Sequence, residues 1–298
     1  MTSIDRRAIA MGVIFVALWS SAFATARVIV AHAPPLTALS VRFAISGLIA
    51  VALARALGQS WRLSRGQARS VIVFGLCQNA AYLGLNFIAM QWVEASLAVI
   101  IAASMPLIVA ALGWAFKGER VAPLGVAGLA AGFVGVALIM QTRLSGGADA
   151  VGIVLCLLGA LALAVATLTI GGAASGGNVL MVVGLQMLVG SVALGGIAAA
   201  TEGFRLDPTP AFWGAFAWQI IGPGLAATLI WFRLVGDIGA VRAASFHFLN
   251  PAFGVAFAVI LLGERVQGWD MLGVTVTSIG IALVQRARIS AITKPSGG

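Results

Sequence analysis

Polar chemistry has few places to sit in this chain. Of its 298 residues 61% are hydrophobic and 9% charged, so a polar side chain inside an apolar run stands out. Gln78, Tyr82 and Asn86 follow one another at i, i+4 and i+8 and share one helix face, with Asn79 adjacent. Ser104 and Asn250 each stand beside a proline, Pro106 and Pro251, in the middle of an apolar run, and His247 lies in the same turn as Asn250. Trp19, Ser21 and Phe23 mark the first run, Thr228 and Trp231 a later one. Amides, hydroxyls, an imidazole and indoles hydrogen-bond and stack, and a wall of that kind suits a small amphipathic ligand. The expected substrate-binding set is therefore Trp19, Ser21, Gln78, Asn79, Tyr82, Asn86, Ser104, Thr228, Trp231, His247 and Asn250, with Pro106 and Pro251 as hinges. No nucleophile–base pair and no cluster at metal-ligand spacing appears, so neither catalysis, a metal nor a cofactor is expected. Cys77 and Cys156 sit inside apolar runs, where a small buried thiol fits and a disulfide framework does not.

Charge narrows the chemistry further. Asp5, Glu94, Glu119, Asp149, Glu202, Asp207, Asp237, Glu264 and Asp270 all fall in loops or at helix ends. A carboxylate-based proton or sodium relay is not expected, and export down a gradient is the simpler reading. His247 is the one intramembrane group that titrates near neutrality, and it is expected to stay neutral and hydrogen-bonded. Arg27 and Arg42 lie near the outer ends of their runs and are expected to snorkel to the interface. Without a Lys/Arg pair at the midplane, phosphorylated sugars and nucleotides fit poorly.

What must position these groups is a set of membrane helices. Apolar runs of about 20 residues recur from end to end, and continuous rather than alternating runs select helices over a barrel. Ten spans are expected: 8–30, 36–56, 69–91, 95–116, 121–141, 150–171, 178–200, 211–233, 239–262 and 266–286. The stretch Ala95–Arg120 recurs 145 positions on as Ala240–Arg265, so that Pro106 falls on Pro251 and Gly118-Glu119-Arg120-Val121 on Gly263-Glu264-Arg265-Val266. A proline in mid-helix costs roughly 3 kcal/mol and frees the carbonyl four residues back, here those of Ala102 and His247. The same break in two copies suggests that both copies use it.

The net charge of +9 does not point to nucleic acid, because the basic residues sit at span ends. With the N-terminus in the cytoplasm, Arg6, Arg7, Arg55, Arg62, Arg65, Arg69, Lys117, Arg120, Arg233, Arg286, Arg288 and Lys294 fall inside, and Arg143, Arg205 and Arg265 outside. Trp92, Trp213 and Trp269 read as interface anchors. Arg6-Arg7, the apolar stretch to Trp19 and Ala22-Phe23-Ala24 imitate a signal peptide, but removing that helix would leave the first half one helix short of the second. Five helices per copy is an odd number, so the second copy enters from the opposite side. The expected fold is an all-α integral membrane protein with ten transmembrane helices as two inverted five-helix repeats, N-in and C-in. Residues 1–145 form the first repeat, 146–288 the second, and 289–298 a short cytoplasmic tail. Inverted repeats are the architecture of many secondary carriers, with the site at the midplane between them. Gly125, Gly128, Gly132 and Gly135, with Gly273 and Gly280, make smooth faces, expected to pack the peripheral helix on its own bundle rather than to dimerise the chain.

Phe74–Val121 and Ile221–Val266 resemble the EamA half-repeats of the drug/metabolite transporter superfamily. The matching pieces are the Gly-rich start of the third and eighth helices, "ASLA" and "VRAAS" at helix entry, the S-x-P and N-P breaks and the closing "GER"; Leu36–Leu57 fits the second helix. The resemblance implies a multi-pass carrier of the bacterial inner membrane that exports small neutral or zwitterionic metabolites, amino acids first, by alternating access, and it is closest to the aromatic amino acid exporters. The sixth helix lacks a tryptophan that many members carry there. Drugs, purines or vitamins are the alternative cargo, and a non-transporting scaffold or receptor the alternative class. The expected partners are a small-molecule substrate and the lipid bilayer, with no nucleic acid and a monomer favoured over a dimer.

Overall fold

The computed structural model describes residues 6–117, 122–145, 149–169, 178–238, 243 and 245–293. Among these every regular element is helical. The helices are α1 (Arg6–His32), α2 (Pro35–Ala56), α3 (Arg65–Ala89), α4 (Ala95–Ala103), α5 (Met105–Lys117), α6 (Pro123–Ser145), α7 (Ala150–Thr169), α8 (Val179–Thr201), α9 (210–238), α10 (Asn250–Leu262) and α11 (Gly268–Thr293), with a 3-10 turn over Ser245–Leu249 before α10. Five of them are long and apolar enough to cross a membrane, and shorter apolar helices account for the rest. Residues 118–121 of the first "GER" stretch, most of "VRAAS", the breakers around 146–148 and 170–177 and the end of the tail (294–298) lie outside the described residues.

Helix ends follow local chemistry. Pro35 and Pro210 occupy first-turn positions where a missing N–H costs nothing. Ser64 and Gln67 form a reciprocal capping box, and Gly263 ends α10 in the left-handed region at φ 67°. Two caps come from distant chain. The Glu202 carboxylate accepts from the Leu36 and Thr37 amides at the start of α2, both at 2.8 Å. The Glu264 carboxylate accepts from the Ala95 and Ser96 amides at the start of α4, at 2.8 and 3.0 Å. A carboxylate at a helix N-terminus satisfies orphan donors and meets the positive end of the dipole. The second "GER" is thus a tie between the α10–α11 turn and α4.

Element boundaries repeat at the same 145-residue offset as the sequence. Arg65 and Pro210 open α3 and α9, Met105 and Asn250 open α5 and α10, Lys117 and Leu262 close them, and Pro123 and Gly268 open α6 and α11. Even the irregularities match: α3 carries a π-helical stretch over Gly75–Tyr82 and α9 one over Ile220–Ala226.

The two most extensive helix pairings join equivalent helices. In α2 and α8, Gly47 faces Gly184, Ser40 exchanges hydrogen bonds with Ser191 at 2.8 Å each way, and the start of α2 meets Glu202, so the pair is antiparallel. In α6 and α11 a Cβ on Gly128 would come within 2.8 Å of the Gly280 carbonyl oxygen, and one on Gly135 within 2.7 Å of the Gly273 carbonyl oxygen. That pair is also antiparallel, and only glycine allows the approach. The expected glycine faces are therefore used within the chain. The main core joins α1, α2, α4 and their neighbours through Ile29, Leu39, Phe43, Leu97 and Ile101. Trp92, Trp213 and Trp269 are exposed, as interface anchors are.

The prolines are not where a mid-helix reading puts them. The long apolar runs are two helices each: α4 stops at Ala103 and α5 starts at Met105, while the second run passes from a 3-10 turn into α10 at Asn250. Pro106 and Pro251 fall in the first turn of the new helix, where the ring is pre-organised and no hydrogen bond is lost. The chain is broken before the proline, and the proline keeps it broken.

Candidate functional site: a cavity shared by both halves

A cavity of about 200 Å³ opens among α1, α2, α3, α4, α8, α9 and the start of α10, with Met105 and Leu163 at its edge. Its lining comes from both halves of the chain. On α3 the π stretch sets the geometry. A wider turn brings neighbouring residues onto one face, and Gln78 with Asn79, Tyr82 with Leu83, and Asn86 with Phe87 all line the space. Gly75 permits the bulge to press on α8, since a Cβ there would lie 2.8 Å from the Gln186 carbonyl oxygen. Asn79 spends its amide N–H on that same carbonyl, at 2.9 Å. Asn86 donates back to the Tyr82 carbonyl at 2.8 Å, which leaves its buried Oδ1 without a partner.

On α9 the π stretch contains Pro223, which has no N–H to give the Gln219 carbonyl four residues before it. That oxygen accepts from Arg42 Nε at 3.3 Å. The Gln219 side chain reaches α1, donating to the Ala22 carbonyl at 2.7 Å and to Thr25 Oγ1 at 3.0 Å. Thr228 turns its hydroxyl to the Gly224 carbonyl at 2.7 Å. Arg42 is 5% exposed, lines the cavity, and packs its guanidinium 5.0 Å from the Phe43 ring. The expectation that it snorkels to the interface is corrected: the sequence gives its depth along α2, whereas the helix rotation turns it inward. Arg27 behaves differently, donating to the Met90 carbonyl at the end of α3, a C-terminal cap.

The far wall is aromatic. Phe15 lies 4.8 Å from Trp231 and 5.8 Å from Trp19, and His247 packs edge-on to Phe15 at 5.3 Å and to Trp231 at 5.0 Å. Asn250 Nδ2 lies 2.9 Å from His247 Nδ1. In this placement the amide N–H donates and the ring nitrogen accepts, a role that a neutral imidazole with its proton on Nε2 fills. Asn250 Oδ1 is buried and unpartnered, and the Asn250 carbonyl accepts from Ser20 Oγ at 3.4 Å.

Of the residues expected at a binding site, Trp19, Gln78, Asn79, Tyr82, Asn86, Thr228, Trp231, His247 and Asn250 line this one cavity. Ser21 and Ser104 do not. Ser21 is committed to Trp218 Nε1, which donates to it at 2.9 Å, and to the Leu18 carbonyl. Ser104 turns back on the Ile101 carbonyl at 2.6 Å and closes the end of α4. Sequence reasoning missed Arg42, Gln186 and Gln219 as lining. The two glutamines carried the signal used for Gln78, an amide inside an apolar span. Among the described residues no Asp or Glu lines the cavity. The described residues hold no cluster of metal ligands.

Comparison with known proteins puts this geometry in context. Residues 6–141 and 150–286 each match the EamA-like transporter family. The chain is similar to the uncharacterized transporter YvbV of Bacillus subtilis, 27% identical over 90% of this chain and 88% of the other. It is similar to the uncharacterized inner membrane transporter YedA of Escherichia coli K12, at 25% over 93% and 90%. It is also similar to a probable amino-acid metabolite efflux pump of Salmonella typhimurium, at 25% over 91% and 92%. A crystal structure with 20% identity superposes with a TM-score of 0.69 over 95% of this chain and 98% of that one, a likeness of fold.

Proposed function

We propose a specific carrier function from the premise that this chain belongs to the EamA-like transporter family of the drug/metabolite transporter superfamily. It is accordingly a multi-pass, all-α transporter of the inner membrane and not an enzyme. Within that, the proposal is ten crossings in two inverted five-helix repeats, 1–145 and 146–288, with both termini and the 289–298 tail in the cytoplasm. Antiparallel pairing of α2 with α8 and of α6 with α11 supports the inversion, since equivalent helices of two inverted copies run opposite ways. The ties between loops support ten crossings. Glu202 meets the start of α2 and Glu264 the start of α4, whereas Asn178 meets Ser60 and Gln59 meets Met181. The first two ties fall on one face and the last two on the other, as alternating crossings require.

The cargo in this reading is a small zwitterionic metabolite, an amino acid first of all, exported by alternating access with the chain breaks before Pro106 and Pro251 as hinges. One observation carries it: the cavity draws on both halves and sets amide and indole groups around a space of about 200 Å³. That is below the roughly 300–1,000 Å³ of drug-sized pockets, which favours a metabolite over a drug. The Salmonella relative, a probable amino-acid metabolite efflux pump, is in keeping with an amino acid. The binding set is the nine lining residues named above, and the protein works as a monomer because its glycine faces are occupied internally.

The test is efflux of a labelled amino-acid panel from proteoliposomes, with and without a pH gradient. Saturable flux indifferent to the gradient is expected, since among the described residues no carboxylate lines the cavity. Tight binding with no flux of any amino acid, drug, purine or vitamin would instead make the protein a receptor or scaffold.

A further inference from the structure

We propose that Arg42 is the carboxylate-binding group of the cavity and that the cavity selects molecules bearing a free carboxylate next to an ammonium. The inference rests on the amino-acid reading above and deepens it. Arg42 is a buried cation with no counter-charge: among the described residues no carboxylate lies within ion-pair distance, and none lines the cavity. A guanidinium has five N–H donors. One, on Nε, is spent on the Gln219 carbonyl, and among the described residues no other acceptor meets the group. Holding Nε leaves the terminal pair of nitrogens free, which is the planar fork that meets a carboxylate through two parallel hydrogen bonds. An unpaired buried charge is costly, and a bound anion removes the cost.

A second observation points to the same ligand from the opposite charge. Asn86, Asn250 and Gln219 line the cavity, and among the described residues the side-chain oxygen of each has no hydrogen-bond partner. An ammonium is a donor with three protons and no acceptor, the complement of such oxygens. Gln219 is the ruler between the two ends of the site. Its carbonyl holds Arg42 while its side chain grips α1 at Ala22 and Thr25. Trp19 lies six residues before Thr25 on the same helix, about 9 Å along the axis at 1.5 Å per residue. An amino acid with its carboxylate at Arg42 would lay its side chain toward Trp19, Phe15 and Trp231, which line the same cavity.

The experiment uses the full chain in two settings, ligand-induced thermal stabilisation in detergent and competition for efflux in proteoliposomes. The probes are L-phenylalanine, L-phenylalaninamide, which lacks the carboxylate, and 3-phenylpropionate, which lacks the ammonium. Phenylalanine should compete about 30-fold or more better than its amide, the size expected for truncating one partner of a buried charge pair. Arg42→Gln should abolish that preference, bringing phenylalanine down to the level of its amide, and Arg42→Lys should restore part of it. A merely structural arginine would lower stability without moving the acid-to-amide ratio. The proposal is overturned if wild-type protein treats phenylalanine and its amide alike, which needs no variant to fold, or if Arg42→Gln keeps the preference. Should phenylpropionate alone stabilise the protein, in an Arg42-dependent way and without amino-acid flux, the anion site stands and the amino-acid reading fails. Amino-acid flux blind to the carboxylate gives the reverse.

Discussion

At the first break α4 ends at Ala103, Ser104 folds its hydroxyl onto its own helix, and Met105 begins the next. At the second, 145 residues on, a 3-10 turn puts His247 against Phe15, Trp19 and Trp231, and Asn250 begins the next helix while bonding to that histidine. The backbone event is the same, followed in both cases by a proline in the first turn. The side chains are not. The first copy offers the cavity Ala102, Ala103 and Met105; the second offers an imidazole and an amide. The duplicated elements share a backbone break and differ in the side chains they turn to the cavity.

That contrast can be broken at several points. Asn250→Leu removes the donor to His247 Nδ1 and an orphan acceptor, and should raise KM for a transported amino acid about tenfold or more; Met105→Leu, its counterpart, should stay within about twofold. Equal KM values in efflux assays would erase the asymmetry. Pro106→Ala and Pro251→Ala each supply an N–H that lets helix run through the break. One added hydrogen bond of about 1 kcal/mol in the resting state should slow turnover about 3–10-fold, with KM little changed and both variants alike; single-turnover flux that falls for one alone would make the two breaks mechanically unequal. His247→Gln keeps an acceptor for Asn250 but loses the ring contacts, for a KM increase of about 2–10-fold. Ser104→Ala should cost about 1 kcal/mol of stability, read as a fall of a few degrees in melting temperature, with transport unchanged. A transport defect there would place recognition at the first break after all.

Much of the helix inventory was legible, because lipid demands long apolar runs and the repeat cross-checks every boundary. The polar stripe on α3 was legible too, although its true cause is a π turn that no 3.6-residue periodicity contains. Depth along a helix can be counted from sequence; rotation cannot. Arg42 was misjudged for that reason, and Ser21 and Ser104 for the related one that a hydroxyl can satisfy itself on its own helix. Pro223, in register with Gln78, signalled an irregular α9. Only packing reveals that the carbonyl it bares would be met by an arginine from α2.

The contacts of the glycine seam between α6 and α11 are reciprocal. Gly128 meets Gly280, and Gly135 meets Gly273. Shifted by the repeat offset, Gly280 stands for Gly135 and Gly273 for Gly128. Residue i of one copy therefore touches j of the other, while j touches i, which is the rule for two identical subunits about a two-fold axis. Within one polypeptide the seam thus has the form that a symmetric homodimer interface takes between two chains. Outside the seam the two copies are free to differ, and Arg42, whose counterpart is Met187, is an asymmetry that a symmetric pair of identical subunits could not hold.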